Sequence, residues 1–87
     1  MDRLMGALEA VLFASGEPVS NGALLEILQI DGPRLEQLLD NYRQELLERH
    51  SGLQLQQIAG GWQLATNMDY YDYVQRLGEE RDKHLSQ

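Results

Sequence analysis

The sequence predicts an α+β fold, mainly helical, in which one short β-hairpin leans on a layer of helices. Three observations carry that reading. Leu53 and Leu55 alternate with Gln54 and Gln56, and Trp62, Leu64 and Thr66 alternate with Gln63 and Ala65; both runs have the period of a half-buried strand. Gly60-Gly61 lies between them, and adjacent glycines accept the positive φ angles of a tight hairpin turn. Upstream of the hairpin, leucines recur at helical spacing through three segments broken by Gly and Pro.

The first helix is expected from about Asp2 to Ser15. Leu4, Leu8, Val11 and Leu12 form its core-facing stripe, Gly16 is placed to cap it, and Pro18 stops it. Its other side carries Ala7, Ala10, Phe13 and Ala14, with few polar breaks. A helix apolar nearly all round is normally covered on more than one side. The plainer alternative is that alanines favour the helix and cost nothing when exposed.

Pro18-Val19-Ser20 reads as extended, a short bridge to the hairpin edge. Ser20 is a good N-cap for a second helix over about Asn21 to Gln29, with Leu24, Ile27 and Leu28 inward. Asp31 caps a third helix, about Pro33 to Arg49, with Pro33 tolerated in the first turn. Leu35, Leu38, Leu39, Tyr42 and Leu46 make its stripe, and Glu45 and Arg49 are spaced for a helical ion pair. Gly52 is suited to end this helix. In the hairpin, a Gly60-Gly61 loop would set Ala59 opposite Trp62, Gln57 opposite Leu64 and Leu55 opposite Thr66. Leu53, Leu55, Trp62 and Leu64 then share one face, and Gln56, Ile58, Gln63 and Ala65 the other. A fourth helix, about Met68 to Leu77, follows a cap at Thr66 or Asn67, with Tyr70, Tyr73, Val74 and Leu77 inward and Tyr71 half exposed. Residues 78–87 are charged and read as a tail, or a linker to a second domain, so the domain proper is expected over 1–77.

Helix, extended bridge, two helices joined by a tight turn, hairpin and fourth helix is the order of a winged helix, with the hairpin as wing. Such a fold points first to DNA, but function lives in the site. Fourteen acidic residues against seven basic give a net charge of −7, and Lys83 is the only lysine. The outward side of the third helix would present Gln37, Asp40, Asn41, Gln44 and Glu48 to a major groove, with Arg34 and Arg43 at its flanks. The wing offers only Gln54, Gln56, Gln57 and Gln63. Phosphate contacts need clustered cations, so DNA binding by this domain alone is expected to be weak or absent.

Enzyme motifs are missing: there is no nucleophile elbow, phosphate loop or zinc-binding His pair. His50 and His84 fall at element ends and read as solvated. Ala59-Gly60-Gly61 could cradle an anion, but a hairpin turn explains it better. No cysteine is present, so there is no thiolate metal site. The reading is of a protein without catalytic residues, cofactor, metal or small-molecule substrate. The start lacks a signal-peptide layout, and no apolar run approaches the roughly 20 residues of a membrane span.

Two motifs carry a resemblance. Leu8-Glu9-Ala10-Val11-Leu12-Phe13-Ala14-Ser15-Gly16-Glu17-Pro18-Val19-Ser20 resembles the opening of the bacterial segregation and condensation protein B (ScpB) family. Ile58-Ala59-Gly60-Gly61-Trp62-Gln63-Leu64-Ala65-Thr66 is similar to that family's wing. The resemblance spans about Leu4 to Leu77. It implies a non-enzymatic accessory subunit of the bacterial condensin complex, cytoplasmic and nucleoid-associated. Such a subunit forms a homodimer and binds the kleisin subunit ScpA, and through it SMC, in chromosome segregation. The family carries two winged-helix domains in tandem, so the chain is expected to be a truncation or a single-domain relative. The surface expected to meet a second copy or partner comprises Ala7, Ala10, Phe13, Ala14 and Ile58, with Gly60 and Gly61 as structural turn residues. The alternatives are a winged-helix DNA-binding transcription regulator or another protein-binding winged helix.

Overall fold

Residues 3–85 are described by a computed structural model. The elements run α1 (Arg3–Ser15), β1 (Val19–Ser20), α2 (Asn21–Leu28), α3 (Gly32–Glu48), β2 (Leu53–Ile58), β3 (Gly61–Thr66), a 3₁₀ turn (Met68–Tyr70) and α4 (Tyr71–Leu85). The three strands form an antiparallel sheet in the order β1-β3-β2. This is the expected winged helix, with β1 as the bridge on the hairpin edge.

One cluster of leucines closes the domain. Leu8 and Leu12 of α1, Leu24 and Leu28 of α2, and Leu35, Leu38, Leu39, Tyr42 and Leu46 of α3 are buried together with Val19 and Leu55. Burying each leucine is worth roughly 1.5–3 kcal/mol against leaving it in water. The stripes expected for α1 and α3 are therefore the core. Ile27 is not: it is 53% exposed, because α2 is short and only one of its sides meets α1 and α3.

The caps explain where the helices begin and end. The Ser20 hydroxyl accepts from the Ala23 N–H at 3.1 Å, and the Asp31 carboxylate accepts from the Arg34 N–H at 2.9 Å. After α1, Gly16 takes φ +69°. After α2, Gln29 takes the left-handed conformation at φ 56°. The end of α3 differs from expectation: His50, not Gly52, is the left-handed residue, at φ 51°. At the end of α3 the Ser51 N–H donates to the Leu46 carbonyl at 3.0 Å and the His50 N–H to the Leu47 carbonyl at 3.2 Å. That pair of hydrogen bonds satisfies the last carbonyls, so Gly52 has no capping role.

The hairpin turns one residue earlier than the glycine pair suggested. Ile58 pairs with Gly61, Gln57 with Trp62 and Leu55 with Leu64, leaving Ala59-Gly60 as the loop at φ 50° and 77°. Both central residues have positive φ, as a type I′ turn requires. The two faces of the hairpin keep their expected membership, because the shift moves the partners of each residue without changing its side. Gly61 belongs to β3, opposite Ser20. A Cβ built there would lie 2.9 Å from the Val19 carbonyl oxygen, so Gly61 lets β1 cross closely.

The C-terminal part departs most. Tyr70 is half-buried and its hydroxyl donates to the His50 carbonyl at 2.8 Å, but Tyr73, Val74 and Leu77 are exposed, as is Tyr71. The stripe expected to face inward has no layer to meet. Nor does the helix stop near Gly78; α4 continues to Leu85. It projects from the leucine core, and the chain with α4 included measures 51 × 25 × 22 Å.

Candidate functional site

Helix α1 packs one side into the leucine core and leaves the other open. Ala10 and Ala14 are exposed, and Phe13 is 78% exposed, an uncommon position for a large aromatic ring. Ala7 is half-buried and packs against the core, so it borders this surface without lying in its centre. Gly6, Ala10 and Phe13 line a shallow apolar depression, floored by Leu53 and Leu64 of the sheet and bordered by Glu9. Ile58 is half-buried at the far end of β2, on the sheet face opposite Leu53 and Leu55. The fold does not bring it to the α1 surface. Gly60 sits in the turn and Gly61 in β3 against β1, and neither lines the α1 depression.

Glu9 would be an awkward charge beside an apolar depression, but its carboxylate is occupied. Oε2 accepts from the Tyr42 hydroxyl at 2.8 Å and pairs with Arg49 Nη2 at 3.0 Å. Burial first, and then the bond to Glu9, push the Tyr42 phenol above its ordinary range, so the phenol stays a donor. Arg49 also approaches its helical neighbour Glu45, at 4.0 Å. The expected i,i+4 pair is thus the longer of two contacts. The tie from α1 to α3 spans 33 and 40 residues of sequence, and no local pattern announces it.

The surface that would read DNA has a different character. Gln37, Asp40, Asn41, Gln44 and Glu48 are all exposed on α3, and the wing carries no Lys or Arg. Arg43 is turned toward the wing, its guanidinium 5.4 Å from the centre of the Trp62 ring. Arg34 donates to Gln37 at 3.4 Å. Trp62 in turn donates to Asn21 at 2.7 Å, which pins the wing to α2. Among the described residues no cluster of three His, Asp or Glu could hold a metal, and no helix is long and apolar enough to cross a membrane.

Comparison with known proteins adds to this geometry. The family profile "Segregation and condensation complex subunit ScpB" matches residues 6–87. Segregation and condensation protein B of Desulforamulus reducens is 34% identical over 85 residues, covering 98% of this chain and 47% of that protein. Its counterpart from Clostridioides difficile is 32% identical over 83 residues, covering 92% and 46%. This chain therefore spans about half the length of these relatives. Among solved structures, ScpB from Mycobacterium tuberculosis aligns with a TM-score of 0.82 at 29% identity, over 91% of this chain and 49% of that one. A dimer of an ScpB N-terminal domain complexed with an ScpA peptide aligns at 0.81 and 23% identity, over 88% and 93%, and shows the shared fold.

Proposed function

The chain belongs to the segregation and condensation protein B family, and on that premise we propose that it is a protein-interaction module of the bacterial SMC–kleisin condensin complex. It acts without catalysis, in the cytoplasm and at the nucleoid, in chromosome segregation and condensation. Two copies associate through α1, and the domain takes a segment of the kleisin ScpA, through which it reaches SMC. The solved ScpB N-terminal domain of the same fold is a dimer complexed with an ScpA peptide, which supports both partners.

The observation that carries the reading is Phe13. A ring 78% exposed, flanked by Ala10 and Ala14 and beside an apolar depression, is costly to leave in water. Small neighbours allow a second helix to approach closely, and each Phe13 then fills the depression of the other copy. The Tyr42–Glu9–Arg49 tie removes a bare charge from that contact. The α3 face and the wing, acidic and amide-rich, favour a protein partner over a phosphate backbone.

Isothermal titration of the domain with ScpA from the same organism tests the partner. Saturable binding is expected. An absence of heat and of co-elution, at concentrations well above micromolar, would remove ScpA as the partner of this domain.

A further inference from the structure

The outer edge of the sheet is open, and it borders an apolar groove. β2 lies at one end of the β1-β3-β2 order, so only one of its sides is paired. The two-residue loop makes Ile58 and Gly61 a hydrogen-bonded pair, and by alternation Gln56–Gln63 and Gln54–Ala65 are the next. The backbone groups of Leu53, Leu55 and Gln57 therefore point away from β3. The Leu53 N–H donates to the Ser51 hydroxyl at 3.1 Å. Among the described residues nothing bonds the outward N–H and C=O of Leu55 and Gln57. The strand reads Leu-Gln-Leu-Gln-Gln-Ile, with no charge, proline or bulge to protect the edge.

Along this edge runs a groove between α3 and β2. Leu47, Leu53 and Leu55 line it, and Gln54 forms its outer lip from the opposite face of the strand. Leu47 is 61% exposed on the otherwise polar outer side of α3, and Leu53 is also partly exposed. The groove's one charged lining residue is Arg43, held by its stacking on Trp62 and not paired with any carboxylate among the described residues. In a chain of net charge −7, that places a lone cation beside an apolar slot and a row of unmet backbone groups.

We propose that this edge takes an extended segment of ScpA as a fourth strand. Its alternate apolar side chains lie in the Leu47–Leu53 groove and an acidic residue pairs with Arg43. Strand addition supplies backbone bonds for affinity, and the groove selects alternate side chains. The proposal rests on ScpA being the partner, and goes beyond it by fixing the backbone form of the segment and its place. A helical segment would leave the Leu55 and Gln57 groups unmet, so the edge argues for a strand.

The test uses ScpA from the same organism as the probe, with three forms of this chain. Gln57→Pro removes one outward N–H, and because that group faces away from β3 no ladder bond within the sheet is lost. Leu47→Ser alters an exposed groove residue. Each is expected to weaken ScpA binding by about tenfold while the melting temperature stays near that of the parent. Hydrogen exchange of the parent chain gives a second reading that needs no variant. The Leu55 and Gln57 amides should slow by about tenfold or more when ScpA is added. Parent-like binding by Gln57→Pro, or unchanged exchange at both amides in a formed complex, would overturn strand addition and leave ScpA as the partner. A parent chain that does not bind ScpA overturns both.

Discussion

Tyr42 shows how one residue can serve the core and the surface together. Its ring is buried among the leucines, while its hydroxyl holds Glu9 from beneath the α1 surface. Tyr42→Phe should cost about 1.5–3 kcal/mol, the value of a bond to a charged acceptor, and free Glu9 to face the apolar depression. The pH dependence follows from the raised phenol. Its stabilising contribution is fully present below the ordinary tyrosine value of about 10 and is lost as pH rises beyond it. Thermal melts from neutral pH to pH 11 should show a fall in the parent above about 10 that is smaller in Tyr42→Phe; parallel curves would contradict the assignment. The two hairpin glycines separate by mechanism. Gly61→Ala should push β1 from β3, because its Cβ would meet backbone at 2.9 Å, at a cost of about 1–3 kcal/mol. Gly60→Ala has open space and loses only conformational ease at φ +77°, roughly 1 kcal/mol. Equal melting temperatures for the two variants would show that β1 contact does not matter. The sequence announced that glycines were needed here but not which constraint each met. The close approach that Gly61 meets comes from β1, a strand some 40 residues away in the chain.

Among the elements, legibility tracks burial. The α3 stripe could be read in full because five positions of one helical face meet a core, and a period of 3.6 has no other cause there. The α4 stripe has the same period, yet Tyr73, Val74 and Leu77 lie in solvent. Periodicity reports that a face is apolar; it cannot say whether this domain holds the layer to cover it. Ile27 fails for the same reason. The helix runs on through the charged stretch expected to be a tail, because a helix without tertiary contacts needs no apolar face and Gly78 weakens its interior without stopping it. Nothing lies within 4 Å of a Cβ added at Gly78, so Gly78→Ala should stabilise α4 by up to about 1 kcal/mol. A rise in helical circular dichroism checks this; an unchanged spectrum would mean that α4 is limited by its lack of tertiary contacts. On α1 the apolar second face was legible in the sequence, whereas the Glu9 tie required the fold because it joins residues 33 and 40 apart, and the open β2 edge because it depends on β1 pairing with β3.

At the scale of the whole molecule, the charge distribution and the open apolar surfaces point the same way. The net charge of −7 opposes association with a polyanion, and the α3 face adds Asp40 and Glu48 where a DNA reader places cations. Fluorescence anisotropy with a labelled random duplex should stay near background at low and at physiological salt. Tight binding that falls steeply with salt would restore the DNA-reading alternative. The central claim is that α1 closes on a second copy of the chain. Sedimentation equilibrium of the parent and of Phe13→Glu, at tens of micromolar, tests it most directly. Phe13 is exposed in the single domain, so the substitution should leave the fold and its melting temperature intact while placing a charge in the contact. The account predicts a mass near twice 9.9 kDa for the parent and near 9.9 kDa for Phe13→Glu. A parent chain that sediments as a monomer, or a Phe13→Glu variant as dimeric as its parent, would contradict it.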